Sequence, residues 1–373
     1  MTEPVHRVSH HLNAAHFTLS RLMVYHIFKG MSHKDTSWLA LTRAGCNTHL
    51  LHDTGRFCQL LKDLTSPSSQ QLSLLFFLGR AFKDSALLRM SFRKTVGRCS
   101  PDSFASIHTH GPSAREAVPL VIAEGDLGPR NRKLQQANAN QRLPTQSMTF
   151  TSAREEDILD VAYVRLVLPF SSVIVLFVED FSTIKYISAT FDRWRELNAV
   201  ANLVHELRPQ LILVAATEGS KFSRLAVGRL QEHCEELKLF ASVTVSFLAS
   251  QDPAPQASHR SLKEAIVSQA ERTSDARRRR FYLLSALHIP TMYRATFLGA
   301  ARSPATQLDW LDVARRYTDN SGFCGNLTDA LRMTRTHGTP EDDVSALVAS
   351  SMLLNAYPPG SHCKSAALAT GLV

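Results

Sequence analysis

Three residues with phosphate-binding chemistry follow an apolar run in the first quarter of the chain. Gly79, Lys83 and Ser85 come directly after the apolar run 72–78 and precede a helix-like stretch. In a phosphate-binding loop, glycine lets successive backbone N–H groups converge on an anion, lysine neutralises the phosphate oxygens, and a hydroxyl binds magnesium. These three residues are therefore the candidates for a phosphate site.

The spacing of these residues departs from the phosphate-loop pattern GxxxxGK[ST]. When the pattern is aligned on Lys83, its two glycine positions hold Phe77 and Phe82, and its hydroxyl position holds Asp84. A left-handed backbone at Phe82 would cost on the order of 1–2 kcal/mol, and the Asp84 carboxylate would repel phosphate. Only the lysine matches, so the sequence argues against nucleotide hydrolysis. A surface lysine in the turn that begins a helix is the favoured interpretation of Lys83.

Two carboxylates lie where a nucleotide-hydrolysing protein could bind magnesium. Glu124 and Asp126 end the apolar run 118–124 and begin the polar segment after it. A GTPase would carry DxxG at this position and NKxD after the run 210–216, but the chain reads AEGD and TEGSK there. A magnesium role for either carboxylate is therefore a hypothesis without a supporting motif.

Four further side chains have types that could bind a ligand. His108 and His110 share one face of a predicted strand, but no third metal ligand accompanies them, so exposed hairpin histidines are favoured. Glu179 and Asp180 end a parallel strand, at the edge where α/β sheets bind ligands. A helix N-cap is the favoured role for one of them. The sequence contains neither GxSxG nor HExxH, so no catalytic residue is predicted.

The elements that would position these residues alternate between strand-length apolar runs and amphipathic stretches. The predicted strands are 72–78, 104–110, 118–124, 171–180, 210–216 and 241–248, and the predicted helices are 152–168, 183–209 and 221–240. Strands alternating with helices predict an α/β fold. The element order is that of small GTPases, so we expect a P-loop-NTPase-like, mostly parallel sheet with helices on both faces and a C-terminal helical extension.

The pattern divides the chain into three parts. Residues 1–70 lack clear periodicity and are predicted to be irregular, residues 71–250 form a degenerate P-loop GTPase-like α/β domain, and residues 251–373 form the helical extension. The segment QDPAPQAS, 251–258, reads as a linker between the last two. Four consecutive arginines, 277–280, are interpreted as the end of a solvated helix, which is commoner than a nucleic-acid patch.

The charge distribution separates the N-terminal part from the rest. Of the net charge of +9, all lies in residues 1–150, which hold 18 lysines and arginines against 9 acidic residues. This part could attract an anionic ligand, whereas no interleaving of basic and aromatic residues indicates a nucleic-acid partner. Six cysteines without a CxxC pair favour a reducing, cytoplasmic setting. The apolar run 166–178 is too short to span a bilayer, so no transmembrane segment is predicted.

Several strings in matching order resemble one family of multidomain proteins. They are FASIHTH, PLVIAEGDL, VAYVRLVLPFSSVIVLFVEDF, RPQLILVAATE and ALVASSMLLNAYPPGSHC, within residues 72–363. They are similar to the N-terminal region of large fungal patatin-like (FabD/lysophospholipase-like) proteins. In that family a GTPase-like segment and a helical stretch ending near AYPPG precede a RING-like zinc module and a patatin acyl-hydrolase domain.

The departures from that family limit what the resemblance implies. The patatin serine and aspartate motifs and the zinc-module CxxC pairs are absent, so no catalytic residue carries over. The resemblance implies a non-catalytic regulatory or interaction module related to lipid metabolism, with an unknown protein partner and no cofactor. One alternative is a divergent switch that binds GTP or ATP with magnesium, in which Lys83 contacts phosphate and Glu124 or Asp126 holds the metal. Another is a truncated gene product without an independent role.

Overall fold

The described residues form one α/β body around a single mixed sheet. The computed structural model describes residues 36–45, 47–93, 103–127, 146–197, 203–217, 220–249, 255–280 and 285–302, with 328, 331–332, 340, 342–346 and 348–349. The sheet of these residues contains nine strands in the order β6-β2-β1-β4-β5-β3-β7-β8-β9. The strands are β1 Ser37–Gly45, β2 Thr48–Asp53, β3 Ser73–Leu78, β4 Ser103–Thr109, β5 Leu120–Gly125, β6 Gln146–Thr151, β7 Ser171–Phe177, β8 Gln210–Ala216 and β9 Val243–Leu248.

The sheet has an antiparallel half and a parallel half. The pairings that join β6, β2, β1, β4 and β5 are antiparallel. Those that join β5, β3, β7, β8 and β9 are parallel. The α/β class is confirmed, but the prediction of a mostly parallel sheet was wrong, because three strands that the sequence analysis did not identify extend the antiparallel half. Residues 37–53, predicted to be irregular, form the hairpin β1–β2.

The central strands are buried on both faces, as their continuous apolar sequences predict. Every residue of β3 and of β7 is buried. Alternate residues of β3 belong to different core clusters, since Phe76 packs in one cluster and Phe77 in the other. This alternation follows from the two-residue repeat of a strand. The sheet therefore needs a layer of helices on each face.

Helices supply both layers. They are α1 Arg56–Gln59, α2 Ala81–Arg89, α3 Glu155–Ala162, α4 Ile184–Leu197, α5 Arg224–Leu237, α6 Pro255–Arg279 and α7 Ile289–Arg302. Helices α2 and α6 contribute to the core on the face of Phe77, and α3, α4, α5 and α7 contribute to the core on the face of Phe76. In the described residues, no helix is long and apolar enough to cross a membrane.

Two predicted helices are shorter than their apolar patterns. The helix predicted at 152–168 is α-helical only over α3. A π-helical turn, Tyr163–Val167, and a 3-10 turn, Leu168–Phe170, follow it. Pro169 lies in this turn and cannot continue a helix. The helix predicted at 183–209 ends as α4 at Leu197, and the 3-10 turn His205–Leu207 follows after residues that the structure does not describe.

The C-terminal part begins as a layer of the sheet. Helix α6 starts at Pro255, inside the segment predicted to be a linker, and places Leu262, Ile266 and Ala270 in the core beside β7. Helix α7 packs against the antiparallel half, where the Tyr293 ring lies 5.4 Å from that of Trp38. Most of the predicted helical extension after Arg302 lies outside the described residues.

The arginine run at the end of α6 is partly buried. The prediction of a fully solvated run was wrong for Arg277, which is 9% exposed. Its guanidinium donates to the carbonyl oxygens of Ser171, at 2.6 Å, and Leu207, at 3.2 Å. Burial lowers the pKa of Arg277 to about 10. The residue therefore ties α6 to the start of β7 and to the turn before β8, while Arg279 is exposed.

Replacement of Arg277 tests this tie. We expect Arg277→Met to lower the free energy of unfolding by about 2–4 kcal/mol, because two buried carbonyl oxygens lose their donor. The matched control, Arg279→Met, removes the same charge from the surface and should change it by less than about 0.5 kcal/mol. Chemical denaturation of the three proteins measures both values, and equal effects would contradict the assignment.

A second buried charge lies in the antiparallel half. Asp53, the last residue of β2, is 7% exposed, and its carboxylate accepts the Gly55 N–H at 3.0 Å. Burial raises the pKa of Asp53 to about 6, although this hydrogen bond and the charge of Arg294 oppose the rise. Because the folded-state pKa exceeds the unfolded value of about 4, this carboxyl favours folding below pH 4. That contribution is lost as pH rises through 6.

The pH dependence of stability tests the buried carboxyl. We expect Asp53→Asn to remove a fall in unfolding free energy between pH 4 and pH 7, on the order of 2–3 kcal/mol. The amide can keep the acceptor for Gly55 without a charge. Denaturation at several pH values measures the effect, with the exposed Asp275→Asn as the control. An unchanged pH profile in Asp53→Asn would contradict the prediction.

Candidate functional site

The carboxyl ends of the parallel strands bring the candidate residues together. We call this the carboxyl-edge cluster: the loop 79–83 after β3, Glu124 and Asp126 at the end of β5, and Glu179 and Asp180 after β7. These strands are neighbours in the sheet. In open α/β sheets, ligands bind at this edge, where connections from adjacent strands leave in opposite directions.

The loop after β3 forms an anion cradle, and a side chain of the protein occupies it. The Asp180 carboxylate accepts the backbone N–H groups of Arg80 at 2.6 Å, Phe82 at 2.8 Å and Lys83 at 2.9 Å. These amides belong to the N-terminal end of α2, whose dipole favours a negative charge. Asp180 therefore takes the position that a phosphate would take at such a helix end.

Gly79 is required for the close approach of this carboxylate. Its φ is 150°, a backbone region that L side chains rarely adopt, and its N–H donates to the Gly125 carbonyl at 3.1 Å. A Cβ at this position would lie 2.5 Å from Asp180 Oδ2 and 3.0 Å from Lys83 Cβ. The absence of a side chain at Gly79 therefore allows Asp180 to approach the loop after β3.

Lys83 points into the protein. Its side chain is 8% exposed, so the prediction of a surface lysine was wrong. Its Nζ lies 3.2 Å from Glu124 Oε2 and 3.5 Å from Asp84 Oδ1. The lysine charge is thus neutralised by two carboxylates, one of which is buried.

Both candidate magnesium ligands are paired with cations. Arg93 Nη1 donates to both oxygens of Glu124, at 2.7 and 2.9 Å. Burial alone would raise the pKa of Glu124, but the charges of Lys83 and Arg93 outweigh it and hold that pKa below its usual value. Asp126 accepts from Arg80 Nε at 2.7 Å. No group of three or more His, Cys, Asp or Glu side chains in the described part of the chain is arranged to hold a metal ion.

The third phosphate candidate lies apart from these contacts. Ser85 is an exposed residue within α2, beyond the amides that form the cradle. The structure therefore brings Gly79 and Lys83 to the cradle and leaves Ser85 on the solvent side of the helix.

Glu179 stabilises the loop on the other side of β7. Its carboxylate accepts the backbone N–H groups of Ala216 at 3.2 Å and Lys221 at 3.0 Å, and the Ser220 hydroxyl. Lys221 Nζ donates to the Glu179 carbonyl at 2.9 Å. This is the loop where NKxD would lie, although residues 218 and 219 are outside the described residues. Two consecutive acidic residues thus bind the loops on both sides of their strand.

Sequence reasoning underestimated this pair. One of the two was predicted to cap a helix, and Asp180 does bind the N-terminal amides of a helix, but that helix is α2, about a hundred residues earlier in the chain. The sequence feature that could have indicated this role is a Glu-Asp pair directly after a buried strand. The pairing partner could not be identified without the strand order.

The two strand histidines are not exposed. His110 is buried and His108 half-buried, so the prediction of exposed hairpin histidines was wrong. Burial lowers the pKa of both histidines. For His108, the charge of Glu124 opposes this shift without reversing it. His110 Nδ1 lies 3.3 Å from the Ser113 hydroxyl, and the ring packs at 5.6 Å from that of Phe92. His110 therefore packs against Phe92, and His108 Nε2 lies 3.5 Å from the Phe92 carbonyl oxygen.

Comparisons with known proteins add little to this geometry. No family model matches the chain, and no curated protein does. Among solved structures, the chain is similar to the siderophore hydrolase EstA from Aspergillus nidulans, with 12% identity over 64% of this chain and 95% of that chain. The TM-score of 0.23 is too low to support an argument about fold or function. The resemblance to patatin-like proteins stays a prediction.

Matched glycine replacements test the cradle. We expect Gly79→Ala to lower the free energy of unfolding by more than about 2 kcal/mol, because the new methyl group meets Asp180 and the backbone conformation becomes strained. Gly228→Ala, in the interior of α5 where a Cβ meets nothing within 4 Å, should raise it by about 0.5–1 kcal/mol. Denaturation curves of both variants measure whether the free energy of unfolding falls or rises. A neutral Gly79→Ala would contradict the close approach.

Proposed function

We propose that the chain is a non-catalytic regulatory or interaction module whose phosphate-type cradle is permanently filled by its own Asp180. The observation that carries the proposal is the set of three backbone amides that donate to this carboxylate at 2.6 to 2.9 Å. An external phosphate needs the same three donors. The internal carboxylate and a nucleotide therefore compete for one position.

Energetics favour the internal group. Hydrogen bonds to a charged acceptor contribute about 1.5–3 kcal/mol each, and Asp180 is held beside the cradle by its own strand. Lys83, which would neutralise phosphate, is instead paired with Glu124. A nucleotide would have to displace Asp180 and separate Lys83 from Glu124 before it gained any contact of its own.

The element order supports descent from a nucleotide-binding frame. A strand, a glycine-containing loop, a helix, an antiparallel pair and successive parallel strands follow one another within one sheet, which is the element order of small GTPases. The patatin-like resemblance suggests the setting: a regulatory part of the kind that precedes a lipid acyl hydrolase domain. On this basis the partner is a protein, and the module presents a fixed surface to it.

A nucleotide-binding switch is the second candidate, and the intact amide cradle is the observation that favours it. In that case Asp180 would withdraw when GTP or ATP with magnesium arrives. Lys83 would then exchange Glu124 for phosphate, and Glu124 or Asp126 would be free to bind the metal. This function requires the carboxylate to move, whereas the proposed module requires it to stay.

Nucleotide titration separates the two functions. Fluorescent GTP and ATP with magnesium should give no saturable binding to the wild-type chain in the micromolar range, and no phosphate release. Binding in that range that is lost in Lys83→Ala but kept in Lys185→Ala would overturn the proposal. Lys185 is an exposed lysine of α4 and controls for the loss of one positive charge.

A further inference from the structure

Arg165 is a buried cation without a paired carboxylate in the described part of the chain. Arg165 is 5% exposed, and in the described part of the chain its Nε and Nη1 atoms have no hydrogen-bond partner. Burial alone lowers its pKa, with no contribution from a neighbouring carboxylate. Because a buried polar group without a partner is destabilising, this arrangement needs an explanation.

Arg277 provides the comparison within the same fold. Both arginine residues are more than nine-tenths buried, and burial lowers the pKa of both. Arg277 donates to two backbone carbonyl oxygens, and these contacts explain its burial as a structural tie. Arg165 makes no such contact through Nε or Nη1. A structural role therefore explains the burial of Arg277. It does not explain the burial of Arg165.

The backbone around Arg165 is also unusual. The residue is the middle position of the π-helical turn Tyr163–Val167, between α3 and the turn that leads to β7. Short π-helical segments inside helices occur frequently at functional sites. Tyr163 packs towards the sheet, with its ring 5.3 Å from that of Phe76. Arg165 follows two positions later, roughly half a turn along a helix, so the two side chains leave the turn on different sides.

We propose that Arg165 is the anchor of an anion site on this π-helical turn, and that its ligand presents an oxyanion, either a carboxylate or a phosphate. The planar guanidinium offers Nε and an Nη as a fork that matches two oxygens of such a group. The ligand would supply the missing acceptors and neutralise the buried charge. The neighbouring Leu166 and Val167 are fully buried and offer no acceptor side chain.

This site differs from the carboxyl-edge cluster. There, the amides of the loop 79–83 and the charge of Lys83 are already satisfied by Asp180 and Glu124. At Arg165, the Nε and Nη1 donors have no partner in the described part of the chain. An anion that stabilises the chain is therefore expected to act through Arg165 and not through Lys83.

Anion-dependent thermal unfolding tests the site. Sodium phosphate and sodium acetate are compared with sodium chloride at equal ionic strength, because a ligand that binds only the folded state raises the melting temperature with its concentration. We expect at least one of the two anions to do so for the wild-type chain. Arg165→Met should abolish the shift, whereas Arg279→Met, which removes an exposed charge, should retain it.

Two further measurements keep the test decisive. Arg165→Lys keeps a charge but loses the fork, so calorimetric titration should give an affinity weakened by about tenfold or more. In the wild-type chain, calorimetric titration with the same anion should be saturable, and this binding should be absent in Arg165→Met. An anion shift that persists in Arg165→Met, the absence of any shift in the wild-type chain, or an equal affinity in Arg165→Lys would each overturn the proposal.

Discussion

The contact between the Asp180 carboxylate and the amides at the start of α2 joins neighbouring parallel strands at the carboxyl edge of the sheet. It joins β7 to the loop after β3, two segments about a hundred residues apart in sequence. Gly79 has its unusual backbone conformation because this carboxylate approaches it closely. Glu179, one residue earlier, makes the corresponding contact with the loop after β8. A single acidic dipeptide therefore binds the loops on both sides of its strand.

The carboxyl edge combines converging backbone donors with internally paired charges. Three amides of the cradle meet at Asp180, and the charges around it are paired: Lys83 and Arg93 with Glu124, and Arg80 with Asp126. In an anion-binding site, such cations would be available to the ligand. Here carboxylates of the chain itself neutralise them. The same residues thus stabilise the fold in place of a ligand, which is consistent with a module that acts through its surface.

The parts of the fold that the sequence predicted are those dominated by local pattern. Strands β3, β7 and β8 are continuous apolar runs, and their buried central positions follow directly from that composition. Hairpin β1–β2 was missed because its segment mixes histidine, threonine and arginine with its apolar residues. Its strands are stabilised by pairing with β4 and β6. Lys83 and Arg277 were placed on the surface because charged residues usually lie there, and their burial depends on partners that are distant in sequence.

The hairpin β1–β2 also determines where another polypeptide could extend the sheet. Strand β4 would be an outer strand without it, with backbone N–H and C=O groups open to an additional strand. Pairing with β1 occupies those groups, so β4 offers no template for β-augmentation. In the described sheet the terminal strands are β6 and β9. Main-chain pairing of another polypeptide beside β4 is therefore blocked by the protein's own N-terminal strands.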